Sequence, residues 1–180
     1  MRKFRSARTS LRLVIAVIAL LAVFALSGCA QIRAKIAANQ AAAARASVAS
    51  ADAGAESHVT ASINALRAAH HMRTLSTSGN LTDKARNWAR WMAAGNCGRS
   101  GGVAMICHSS LTSGIKVAWT WLAENVGSAA PRSNLNGVIN GFTNSPGHLS
   151  NILSPRATSV GVGVAYAGNT VYVVEEFLQG

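Results

Sequence analysis

Apolar positions recur at helical spacing through the middle of the chain and switch to strict alternation at its end. Val59, Ile63 and Leu66 stand three and four apart, with Asn64 and Arg67 on other faces, which predicts an amphipathic helix starting near Ser57. After the turn cluster 76–79, Leu81, Ala85, Trp88 and Met92 fall at i, i+4, i+7 and i+11. This second helix takes Asn80 or Thr82 as its cap and ends before Gly95. Leu135, Val138, Ile139 and Phe142 give a third helical face. Ser145-Pro146 opens a fourth helix, with serine as cap and proline in the first turn; Leu149, Ile152 and Leu153 form its apolar side, and Ser154-Pro155 ends it. From Val160 the period becomes two. Val160, Val162, Val164 and Tyr166 alternate with Gly161, Gly163 and Ala165, a strand whose small-residue face predicts a close neighbour. Gly168-Asn169 is a hairpin turn, and Val171 to Leu178 is the returning strand. Between the second and third helices lie a glycine- and serine-rich loop, 95–113, and a stretch, 115–126, in which Trp119 and Trp121 alternate as in a short or edge strand. Helices packed on an antiparallel sheet, an α+β domain, follow from this order.

The first residues follow a different pattern. Arg2, Lys3, Arg5, Arg8 and Arg12 precede a nearly unbroken apolar run from Leu13 to Leu26, shorter than the roughly 20 residues of a bilayer span. A basic start, a short apolar core and then small residues form an export signal. The run ends in Leu26-Ser27-Gly28-Cys29, which resembles a lipobox; the implied product is a protein beginning at a diacylated Cys29 and held at the membrane by two chains. An ordinary signal cleavage, giving a secreted protein, is the alternative. Residues 30–56 are mainly alanine with few large apolar side chains, the composition of a tether. The expected organisation is thus a signal over 1–28, a tether over 29–56 and a folded domain over 57–180.

Charge and cysteines refine this picture. Of the 17 basic residues, five lie in the signal with no acidic ones, so from Cys29 onward twelve basic residues face six acidic ones, a formal charge of +6. The basic residues are scattered rather than clustered, which argues against a nucleic-acid partner and for a setting near anionic lipid or wall polymer. With Cys29 acylated, Cys97 and Cys107 remain as a pair. In an oxidising compartment they read as a disulfide stapling the loop between them; a zinc site that includes His108 is the alternative.

Several short segments occur together in order. They are Asn64-x-x-Arg67, Cys107-His108-Ser109, Ala123-Glu124-Asn125-Val126-Gly127, Phe142-x-x-Ser145-Pro146-Gly147-His148-x-x-Asn151-Ile152-Leu153, and Val160-Gly161-Val162-Gly163-Val164. In this order and spacing the chain resembles a bacterial CAP (SCP-like extracellular) domain. The resemblance implies a three-layer α-β-α sandwich, CAP-like, with an antiparallel sheet and a cleft lined by two histidines and two acidic residues. His108, Glu124 and His148 match three of the four; the second acidic position falls at Ser145.

Two imidazoles and a carboxylate suit a divalent cation such as zinc, with His108 and His148 as ligands, water in an open position, and Ser109, Ser145 and Asn125 as orienting neighbours. No cofactor is required by this reading. The structural alternative is a buried polar network tying the loops to the Ser145-Pro146 helix. His58, His70 and His71 read as surface or partly buried helical residues, and the four tryptophans as core or cleft wall, with an aromatic platform for a ligand as the alternative. No GxSxG elbow, HExxH, P-loop or GxGxxG is present. Three functions follow. One is a non-catalytic envelope module binding a lipid, wall or protein ligand. Another is a metal-dependent hydrolase in which Glu124 acts as general base on a bound water. The third is an interaction protein using its loops. A monomer is expected in each case.

Overall fold

The structure, a computed structural model, describes the backbone from residue 3 and side chains from residue 30 to the C-terminus. The export signal and Cys29 fall on residues whose side chains lie outside those described. Two compact units divide the chain, Met1–Val48 and Ala49–Gly180. In the first, residues 30–48 are helical and exposed throughout. Among the described residues, no helix is long and apolar enough to cross a membrane.

Helix α1, Lys3–Ala69, passes through the alanine-rich segment expected as a tether. Alanine has the highest helix propensity, so the segment holds a helix without packing. The folded unit also begins earlier than Ser57. Glu56 is buried and takes a forked ion pair from Arg86, whose Nε lies 2.9 Å from Oε1 and whose Nη2 lies 2.6 Å from Oε2. The rest of the unit runs β1 (Ser76–Thr77), α2 (Gly79–Ala93), β2 (Arg99–Ser100), β3 (Val103–Ala104), β4 (Trp121–Ala129), α3 (Leu135–Thr143), α4 (Pro146–Ile152), β5 (Ser159–Ala167) and β6 (Thr170–Gln179). The cap of α2 is Ser78, two residues before the expected Asn80, and Leu81 N–H donates to its hydroxyl. Asn80 instead holds the following loop, donating to Gly114 O and accepting from Lys116 N–H.

The main sheet has the order β1-β5-β6-β4. It is antiparallel, as expected, with one addition at its edge, where the two-residue β1 lies parallel to β5. Two layers of helix cover it. On one face Val59 and Ile63 of α1, Val138 and Phe142 of α3, and Ile152 of α4 pack on Val160, Val162, Val164, Val171, Val173 and Phe177. On the other, Ala85, Ala89 and Met92 of α2 pack on Ala165, Tyr172 and Val174. Gly161 and Gly163 let α2 approach this face. A Cβ on Gly161 would meet the Leu81 carbonyl carbon at 2.2 Å, and one on Gly163 would meet that of Ala85 at 2.2 Å. The small-residue face of β5 is therefore a seat for a helix backbone.

Asn64 and Arg67 hold the fold together rather than lying on an outer face. Asn64 exchanges hydrogen bonds with both backbone groups of Leu75, at 3.1 and 2.8 Å. Arg67 is 2% exposed and donates to the carbonyls of Arg73, Ile152 and Ser154, joining α1 to the end of α4. Burial, followed by repulsion from Arg73, lowers its pKa. Such a buried guanidinium is tolerated because each carbonyl it faces replaces a lost water.

Candidate functional site

Because β4 and β6 are paired with Glu124 opposite Glu176 and Asn125 opposite Glu175, the strand alternation sends one polar pair to each face. Strand β4 is also the outer strand of the sheet, so both pairs lie beside its open edge. A groove of about 490 Å³ follows that edge, lined by His108, Ser109, Leu111, Trp121, Glu124 and Asn151 among others.

Glu124 and Glu176 face α2. The Glu124 side chain is fully buried, and its Oε1 receives the Ser109 N–H at 2.8 Å and lies 2.8 Å from His108 Nδ1. Lys84 reaches the same cluster from α2. Its Nζ donates to Ser109 Oγ at 2.7 Å, pairs with Glu176 Oε1 and stands 3.9 Å from Glu124 Oε2, an oxygen with no hydrogen-bond partner. Burial alone would raise the Glu124 pKa, but the hydrogen bonds from Ser109 and then His108 outweigh it and hold the group below the usual carboxylate range. Burial is the larger effect at Glu176 and raises its pKa to about 8 against the pull of Lys84. At neutral pH Glu176 therefore holds a proton, and Lys84 and Glu124 are the charged pair. His108 itself is open, its side chain 63% exposed. Its Nδ1 faces the buried carboxylate, and the rest of the ring is open to solvent.

Asn125 and Glu175 face α3 and α4. Asn125 is fully buried; its Nδ2 donates to His148 O at 3.1 Å and to Glu175 Oε2 at 2.8 Å, while its Oδ1 accepts from Asn151 Nδ2 at 2.9 Å. With only this neutral amide as partner, burial raises the Glu175 pKa to about 8. His148 packs its ring on Phe142 at 5.0 Å, and its Nδ1 is buried without a partner. Burial, then the charge of His108, lowers its pKa. Ser145 caps α4 through its backbone, accepting Leu149 N–H at 2.8 Å, and makes no side-chain cap bond.

The sequence-predicted residues therefore divide. His108, Glu124 and Ser109 form one hydrogen-bonded unit. Asn125 engages the backbone of His148, not its ring. Neither the His148 ring nor the Ser145 hydroxyl bonds to Glu124. Among the described residues, no three His, Cys, Asp or Glu side chains converge to hold a metal ion. Glu124 Oε1 is already occupied, and the positive charge beside Oε2 is the Lys84 ammonium. Cys97 and Cys107 are joined in a disulfide, Cα–Cα 5.8 Å, which removes the alternative of a zinc site at that pair.

Sequence reasoning missed Lys84, Glu175 and Glu176. The signals were present. Lys84 stands within the apolar stripe formed by Leu81, Ala85 and Trp88, and Glu175-Glu176 interrupts an otherwise apolar strand, so one of the two had to face each layer.

The family model for CAP, the cysteine-rich secretory protein family, matches residues 60–177, and the chain belongs to that family. Among solved structures it is similar to an extracellular protein containing an SCP domain from Bacillus anthracis, at 24% identity and a TM-score of 0.56, covering 72% of this chain and 41% of that one. A cysteine-rich secretory protein from Staphylococcus aureus gives 15% identity, a TM-score of 0.50, and coverage of 72% and 39%. An outer surface protein from Borrelia burgdorferi gives 18% identity, a TM-score of 0.54, and coverage of 70% and 92%. The chain thus spans about two fifths of the length of the first two. These likenesses carry the fold. No curated protein sequence matches the chain.

Proposed function

We propose that this protein is exported and anchored through acylated Cys29 to the outer face of the cell membrane. There its CAP domain binds a component of the envelope as a monomer, without catalysis, cofactor or nucleic acid. One observation carries the non-catalytic part: the buried Glu124 carboxylate is held within the chain, by two hydrogen bonds at Oε1 and by the Lys84 ammonium 3.9 Å from Oε2. Lys84 answers Glu124, Ser109 and His108 saturate Oε1, and Glu175 and Glu176 retain their protons. A carboxylate fixed in this way is preorganised, which suits recognition. The family match and the extracellular and outer-surface character of two of the similar structures support export, and the Leu26–Cys29 segment supports the anchor.

Labelling cells that express the full chain with a palmitate analogue tests the anchoring. Label on the wild type, lost in Cys29→Ala together with membrane retention, is the expected result. An unlabelled protein in the cytosol overturns the reading. A second reading, hydrolysis by water activated at His108 Nε2, rests on the His108–Glu124 pair, which has the arrangement of an oriented general base. It requires an esterase or amidase rate abolished by Glu124→Gln with the melting temperature held.

A further inference from the structure

A second groove, of about 440 Å³, shares Ser109 with the one along β4. Its floor is aromatic. Trp88 and Trp91, one turn apart on α2, stack with ring centroids 4.4 Å apart and an interplanar angle of 11°. Trp88 is fixed by its indole N–H, which donates to Cys107 O at 2.8 Å, whereas Trp91 is 40% exposed. The groove is otherwise lined by Asn87, Ser110 and Ser113, with Lys84 and Ser109 at its inner end. Among the described residues, the Asn87 amide and the Ser110 and Ser113 hydroxyls make no hydrogen bond to the protein, in contrast to the internally paired groups of the β4 groove. The rim is also held in place. The Cys97–Cys107 disulfide ties the loop to itself, the Lys84 ammonium holds Ser109 Oγ, and Asn80 holds Gly114 and Lys116.

An immobilised indole face beside free amide and hydroxyl groups has the chemistry that recognises a sugar ring. The axial C–H face of a pyranose stacks on the indole, and its equatorial hydroxyls and acetamido group find uncharged donors and acceptors at the edge. We infer that the Trp88–Trp91 groove is a saccharide-binding site that stacks an N-acetylated pyranose on Trp91 and hydrogen-bonds it through Asn87, Ser110 and Ser113. The inference deepens the envelope-binding reading by naming the ligand class. The site itself does not depend on where the chain is anchored.

Titrating the full-length protein in detergent with tetra-N-acetylchitotetraose by calorimetry tests it directly. The expected result is saturable 1:1 binding that weakens at least tenfold in Trp91→Ala and severalfold in Asn87→Ala. It is retained in part by Trp91→Tyr and unchanged in Trp119→Ala, an exposed tryptophan outside both grooves. Melting temperatures within about a degree of wild type keep these comparisons clean. Three outcomes overturn the inference: no saturable binding, binding indifferent to Trp91→Ala, or binding lost in His108→Ala and not in Trp91→Ala. Binding to phospholipid vesicles abolished by Trp91→Ala, with none to the oligosaccharide, also overturns it and assigns the groove to lipid. Co-sedimentation with purified peptidoglycan, reduced by Trp91→Ala, identifies the wall polymer as the source of the sugar. Oligosaccharide binding without sedimentation keeps the site and assigns it to free saccharide. Because calorimetry uses purified protein, its failure is distinguishable from failure of the palmitate labelling, which tests location alone.

Discussion

Adjacent carboxyls on one strand meet opposite environments on the two faces of this sheet. Towards α2, Glu176 shares its surroundings with Glu124, and the layer above supplies an ammonium, a hydroxyl and a backbone N–H. Towards α3 and α4, Glu175 has a single neutral amide from Asn125. The α2 face therefore retains an ion pair, Lys84 with Glu124, whereas the other face is a network of uncharged groups. Burial is common to both carboxyls and raises each to a pKa of about 8, and the partners decide whether an ion pair stands beside them.

The comparison is broken most severely by removing the cation. Lys84→Met leaves Glu124 buried and unpaired, and a loss of about 3–5 kcal/mol is expected in urea unfolding, since removing one partner strands the other charge. Glu175→Gln, which replaces a group already holding its proton, is expected to cost less than about 1 kcal/mol, because the amide can keep the bond to Asn125. Equal losses at the two sites would end the distinction. Reducing the Cys97–Cys107 disulfide, which closes a short loop, is expected to remove about 2–3 kcal/mol. That loss should be seen in thermal melts with and without reductant, and it leaves both carboxyl faces intact.

The pH dependence sharpens the same contrast. Glu175 and Glu176 have folded pKa values of about 8, raised from 4.5, so the folded state holds their protons and the unfolded chain does not. Their contribution is fully present below about pH 4.5 and is lost as pH rises towards 8. The slope is about 1.4 kcal/mol per pH unit for each proton. Glu124 acts in the opposite sense: its pKa is lowered, so its contribution is present at neutral pH and falls away in acid. Denaturation at a series of pH values should show the alkaline-side decline shrink in Glu175→Gln. The smallest effect belongs to the exposed partner. His108→Ala is expected to cost under about 1 kcal/mol, since an open ring contributes little to stability.

Much of this was legible in the sequence. The periodicities located α2, α3, α4 and the β5–β6 hairpin, and the glycines of β5 announced the close approach of α2. The CAP resemblance implied a cleft lined by His108, Glu124 and His148; the structure joins His108 to Glu124, while the His148 ring packs on Phe142. What periodicity could not supply was the partnering across layers. Arg67 looks like an outer-face residue until Ile152 and Ser154 bring their carbonyls to it from eighty-odd positions away. Lys84 looks like an interruption of an apolar stripe until Glu124 and Glu176 are placed beneath it. The parallel β1 is two residues long and leaves no pattern to read. A metal site is suggested by residue types alone, and Lys84, which stands beside Glu124 in the fold, has no place in that reading.

Calorimetric Zn²⁺ titration of the full-length protein and its His108→Ala/His148→Ala double variant tests the central claim most directly, that Lys84 and not a metal ion balances Glu124. The account predicts no saturable heat attributable to the cleft, with the same trace from both proteins. Saturable 1:1 binding abolished in the double variant would contradict it.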